Sequence, residues 1–111
     1  MNPTPDEIAR HARRFCALGT EPRLRILRLL LSAHPHGMVV GEIGSALQIR
    51  GATLSHHLEK LRNEDLVQVR RDGTFLWYSV DTDALQELLD FLYAECCTRS
   101  GALCPPTLSI S

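Results

Sequence analysis

Long apolar runs are absent from this chain of 111 residues: none exceeds four, far short of the ~20 that a membrane-crossing helix needs. Nothing at its start has the basic stretch and apolar centre of a secretory leader, so the expectation is a cytoplasmic protein with reduced thiols. Cysteine is scarce as well. There are four, three of them crowded between positions 96 and 104, too few and too clustered for a disulfide framework. No Cys-x-x-Cys sits on a strand-helix-strand pattern and no general base adjoins a thiol, which argues against a thiol oxidoreductase or metal chaperone and against an enzyme generally. Internal repeats, low-complexity segments and a second domain are also lacking. A single domain of this size buries a smaller share of its surface than a larger protein, so part of its apolar surface is expected to lie against a second subunit.

The charge that is present is divided unevenly. Residues 1–71 hold 11 of the 12 Lys and Arg against 7 acidic residues, whereas residues 72–111 hold Arg99 against 6, which turns a net −1 into a basic part and an acidic part. The basic part contains the segment with nucleic-acid-reading character, and the acidic part contains the thiol cluster. Such a distribution favours a phosphate-bearing partner.

Local signals place the elements. Thr4, Pro5 and Glu7 form a helix start with proline at its first position, and Ile8, Ala12 and Phe15 recur at helical spacing up to Leu18, with Gly19 closing the helix. Pro22 opens a second helix, whose Leu24, Ile26, Leu27, Leu29, Leu30 and Leu31 mark it as the central core element, and His34-Pro35-His36-Gly37 breaks it. His34 and His36 are read as turn residues rather than metal ligands. A short helix over Val40–Leu47 and, after a break at 48–51, another over 52–64 give a helix-turn-helix. Val67 and Val69 then alternate with polar residues, Asp72-Gly73 supplies a tight turn, and Phe75–Val80 returns as a strand. Asp81 caps a last helix whose stripe Leu85, Leu88, Leu89, Leu92 and Tyr93 runs into Cys96 and Cys97. The expected fold is mostly α with a small β-hairpin, a winged helix-turn-helix over residues 1–100, followed by a tail over 101–111 that carries a thiol.

Two constellations carry chemistry. In the second helix of the pair, Leu54, Leu58 and Leu61 share one side, which leaves Thr53, Ser55, His56 and Lys60 to offer donors and acceptors to base edges in a major groove. Arg50, Arg62, Arg70 and Arg71 suit phosphates, which position a protein without reading sequence. His57 borders the buried side and is read as a boundary histidine. The second constellation is Cys96, Cys97 and Cys104. Three thiolates without a histidine or carboxylate at ligand spacing suit a three-coordinate trivalent ion, As(III) or Sb(III), better than tetrahedral zinc. Adjacent helical residues point about 100° apart, so Cys96 and Cys97 reach one ion only where the helix has given way. Cys16, alone on an apolar side, is read as a core residue that could also approach the last helix.

The element order, with Val40-Gly41-Glu42-Ile43-Gly44-Ser45-Ala46-Leu47 and Thr53-Leu54-Ser55-His56-His57-Leu58-Glu59-Lys60-Leu61-Arg62, resembles the ArsR/SmtB family of metal-sensing repressors over roughly residues 8–97. The resemblance implies a homodimer through the first and last helices, seated on palindromic double-stranded operator DNA and released when inducer binds. Some arsenic-responsive members carry a Cys-Cys pair with a third cysteine in the tail, and Cys96, Cys97 and Cys104 are similar to that set. Two departures matter. Val39 and Gly41 stand where many arsenic sensors have a cysteine pair, and Asp90 lacks the histidine two residues later that zinc sensors place on the last helix. The leading expectation is a metalloregulatory repressor released by As(III) or Sb(III), and the alternative is a repressor of the same fold that senses oxidation or persulfide through these thiols.

Overall fold

The computed structural model describes residues 2–102. Five helices and three short strands follow one another as α1 (Pro5–Leu18), α2 (Glu21–Ser32), β1 (Met38–Val39), α3 (Val40–Leu47), α4 (Gly51–Asn63), β2 (Val67–Asp72), β3 (Phe75–Val80) and α5 (Thr82–Tyr93). Side-chain caps set three of the helix starts: the Thr4 hydroxyl accepts from the Glu7 amide, Thr20 from Arg23, and Asp81 from Ala84. Thr20 rather than Pro22 therefore opens α2, with Pro22 seated inside the first turn where its missing N–H costs nothing. Gln48 ends α3 in the left-handed conformation, and Arg50 leads into α4 one residue earlier than the sequence indicates.

The strands form one antiparallel sheet in the order β1-β3-β2. Asp72 pairs with Phe75 across a two-residue turn, and Gly73 there has φ +64°. β1 is an addition to the expected hairpin: Met38 and Val39 pair with Tyr78 and Trp77. Gly37 makes that approach possible, since at φ +81° a Cβ would lie 1.9 Å from the Tyr78 carbonyl oxygen.

Ile26, Leu30, Ile43, Leu54, Leu58, Leu61, Leu66, Val80 and Leu88 are fully buried and draw α2, α3, α4, the sheet and α5 into one core. On α1 the structure departs from the apolar reading. Its buried residues are His11, Arg14 and Ala17, while Ile8 and Ala12 are exposed. Phe15 still packs partly against the core, so the outward apolar part of α1 is Ile8 and Ala12, while His11 and Arg14 face in.

Candidate nucleic-acid interface and thiol cluster

Burial of Leu54, Leu58 and Leu61 turns the opposite side of α4 to solvent, and Thr53, Ser55, His56, Lys60 and Arg62 all lie exposed on it. Arg50, at the N-cap of α4, and Arg70 and Arg71, on β2, are exposed as well. Ser55, Glu59, Arg62 and Asn63 line one cleft together with Tyr78 of β3, so the root of the hairpin flanks the exposed side of α4. Helix and hairpin thus expose eight donor-bearing residues, five on α4, two on β2 and Arg50 at the helix entrance. His57 is half-buried, as its boundary position requires, and its Nδ1 has no hydrogen-bond partner among the described residues. Burial, then the neighbouring Arg23 and His56, hold its pKa below the usual histidine value.

What fixes α4 from behind was not legible from the sequence. Glu64, the residue that closes α4, is clasped by two arginines of α1: Arg13 Nε lies 3.2 Å from its carboxylate, and Arg14 Nε donates to its carbonyl at 3.1 Å. The Arg14 side chain is 4% exposed, and its Nη1 is 3.7 Å from Glu87 Oε1 on α5, too far for a hydrogen bond. Arg10 holds the same carboxylate at 2.5 Å, and His11 Nε2 lies 3.9 Å from it. The His11 ring stacks on Phe91 of α5 with centroids 4.3 Å apart. Burial first, and then Arg10 and Arg14, lower the His11 pKa against the opposing pull of Glu87 and Glu7. A polar seam, buried at His11 and Arg14 and half-exposed at Glu87, therefore runs from α5 through α1 to the end of α4. The only hint of it in the sequence was the Arg13-Arg14 pair set into an amphipathic helix.

The thiols lie where α5 ends. Tyr93 is its last residue, turns continue to Ser100, and Cys97 adopts φ +62°. With the helix broken, Cys96 Sγ and Cys97 Sγ come within 3.3 Å, well beyond the ~2.05 Å of a disulfide bond. The Gly101 amide donates to the Cys97 carbonyl at 3.0 Å, and Gly101, at φ +71°, reverses the chain there. Cys104 lies outside the described residues, and among those that are described no three His, Cys, Asp or Glu side chains are gathered for a metal. Cys16 corrects its reading. It is exposed and lines a cavity of about 280 Å³ with Arg13, Arg23, Lys60 and Glu64, on the α4 side of the molecule rather than in the core or beside the last helix. The core position beside it is taken by Ala17.

Near the thiols, Ile8 (49% exposed) of α1 and Leu92 (56% exposed) of α5 border an open groove with Pro3, Phe91 and Ala94. Among the described residues no helix is long and apolar enough to cross a membrane.

Comparison with known proteins gives this geometry a context. The family model described as bacterial regulatory protein, arsR family, matches residues 20–69, which span α2 through the first half of β2. The transcriptional activator HlyU of Vibrio cholerae is 37% identical over 82 residues, covering 71% of this chain and 73% of that protein. The transcriptional repressor SdpR of Bacillus subtilis is 31% identical over 78 residues, covering 70% and 83%. Among solved structures, the homodimeric winged helix-turn-helix DNA-binding domain of Mb0332 from Mycobacterium bovis superposes with a TM-score of 0.66 over 96% of this chain and 100% of that one; at 24% identity the likeness concerns the fold.

Proposed function

This chain belongs to the arsR family of bacterial regulatory proteins, DNA-binding transcriptional regulators rather than enzymes, and on that footing we propose that it is a homodimeric repressor released from its operator by As(III) or Sb(III). α4 enters the major groove with Thr53, Ser55, His56 and Lys60 towards the bases, and Arg50, Arg62, Arg70 and Arg71 hold phosphates. Two such helices in a dimer engage half-sites about 34–36 Å apart. The dimer forms through the outward apolar stripe of α1 and the exposed end of α5, where Ile8, Leu92 and Tyr93 leave water together.

The observation that carries the inducer assignment is the 3.3 Å between Cys96 Sγ and Cys97 Sγ at the broken end of α5. For ion–sulfur bonds of about 2.3 Å, sulfurs sharing a tetrahedral ion lie about 3.8 Å apart and those sharing a pyramidal ion with angles near 90° about 3.3 Å. Cys104 supplies the third thiolate. Three thiols displace the three hydroxyls of arsenous acid, forming three As–S bonds and releasing three waters. Capture ties Cys104 to the end of α5, and the seam from Glu87 through Arg14 to Glu64 passes the change to α4. The coupling this requires is about 1–3 kcal/mol, or 5- to 150-fold in operator affinity.

The test is operator release by arsenite, followed with a labelled duplex that the wild-type protein has selected from a random library. Cys96→Ser, Cys97→Ser and Cys104→Ser should each blunt release while leaving arsenite-free binding intact, and three variants that respond as wild type overturn the site. The close sulfur pair also suits oxidation, so peroxide is the second arm: release by peroxide with no response to arsenite transfers the function to a redox sensor.

A further inference from the structure

The outer end of the wing carries two large apolar side chains: Phe75 is 61% exposed and Leu76 36%. Successive strand residues face opposite ways. Register puts Arg70 opposite Trp77 and Asp72 opposite Phe75, so Phe75, Trp77 and Arg70 share one face while Arg71 and Leu76 share the other. The Arg70 guanidinium lies 5.7 Å over the Trp77 ring, which holds that cation along the strand behind Phe75. The hairpin therefore ends in an apolar blade with an arginine on each face and Asp72 directly opposite Phe75 at the turn. Its root, at Tyr78, flanks the exposed side of α4, and from Tyr78 to Phe75 the strand advances three residues, about 10 Å. With α4 in a major groove, a tip about 10 Å beyond that cleft is long enough to span the flanking phosphates.

We propose that Phe75 is a wedge: the wing tip enters the minor groove beside each half-site and Phe75 inserts between two base pairs, with Arg70 and Arg71 on the flanking phosphates. Apolar side chains used in this way partly unstack a base step and bend the duplex by about 20–90° towards the major groove. Pyrimidine–purine steps, TA and CA/TG, unstack most easily, so the operator should favour one of them at the position the wing covers, a preference set by deformability rather than by base hydrogen bonds. Charge complementarity with the two arginines and continuity with the α4 surface select DNA as the occupant of this blade. The inference rests on the DNA-binding role and is independent of what the thiols bind.

The experiment uses the full-length protein and the library-selected duplex, with end-to-end energy transfer reporting the bend and 2-aminopurine placed at successive steps reporting unstacking. Wild type should bend the duplex and brighten 2-aminopurine at one wing-covered step per half-site. Phe75→Ala should lose the bend and the fluorescence change and bind the selected duplex about 10- to 100-fold more weakly, the factor expected from uncovering one phenylalanine. Its salt dependence should not change, whereas Arg70→Gln and Arg71→Gln should each lower the slope by about 0.9. Phe75→Leu should restore most of the bend. Because Phe75 is exposed, these variants keep the fold, and unchanged circular dichroism confirms it. A Phe75→Ala protein that binds and bends as wild type overturns the wedge. So does one that binds more weakly with bend and fluorescence intact, which makes Phe75 a surface contact, or one whose DNA-free sedimentation changes, which makes the blade a protein interface. Failure of the wild-type protein to select any duplex would instead strike at the DNA-binding role itself.

Discussion

Arg14 offers a sharp test of how α5 speaks to α4, because its contributions to stability and to regulation separate. Its guanidinium is almost wholly buried, donates to the Glu64 carbonyl at 3.1 Å, and leaves Nη1 facing Glu87 without a hydrogen bond. Replacement by methionine, of similar length, removes a charged hydrogen bond worth about 1.5–3 kcal/mol. It also removes the desolvation of a buried cation, which is of the same order or larger. Glu87 is not stranded by the change, since it is half-exposed and retains Arg10 at 2.5 Å. The two effects nearly cancel, so Arg14→Met should unfold in urea within about 1 kcal/mol of wild type. Regulation should not be so forgiving. With the seam cut, occupation of the thiols no longer biases the pose of α4, and the ratio of operator affinities without and with arsenite should fall from 5-fold or more to near one. Anisotropy titrations of the selected duplex measure that ratio, and Glu87→Gln, at a half-exposed position, reproduces the effect without touching the buried carbonyl bond. If Arg14→Met and Glu87→Gln both keep the full ratio, the path through α1 is wrong, whatever the thiols bind.

Two further expectations concern stability. His11 and His57 both have folded-state pKa values below the unfolded value near 6.5, so on acidification the unfolded chain takes up protons that the folded chain resists. Stability should therefore hold above about pH 7 and fall as pH drops through 6.5, and His11→Gln should flatten the decline; urea midpoints between pH 8 and 5.5 that are level, or that rise towards acid, contradict the burial argument. The turn glycines should differ from each other: Gly37→Ala drives a Cβ into the Tyr78 carbonyl and should cost more than about 3 kcal/mol, while Gly73→Ala meets open space and should cost only the left-handed backbone penalty of about 1–2 kcal/mol, a ranking that thermal melts decide.

The parts of this fold that depend on neighbours in sequence were legible, and the parts that depend on distant partners were not. The ends of α1, the limits of α3 and the Asp72-Gly73 turn follow from caps and turn residues a few positions apart. The exposed side of α4 follows from three leucines on a wheel. β1 escaped notice because two residues have no period, and Met38 and Val39 become a strand only by pairing with residues nearly forty positions away. Helical periodicity on α1 found a stripe but could not say which way it faced. His11 and Arg14 are inside because Glu64, Glu87 and Phe91 arrive from elsewhere in the chain to meet them. That inversion has a functional reason in physical terms. For the proposed dimer, a helix that hid Ile8 and Ala12 against its own body would have no apolar face for a second subunit and no polar side chain long enough to tie α5 to the end of α4. By turning arginine and histidine inward, α1 keeps both, and the thiol end of α5 is joined at one helix to the reading surface and to the exposed groove beside Leu92.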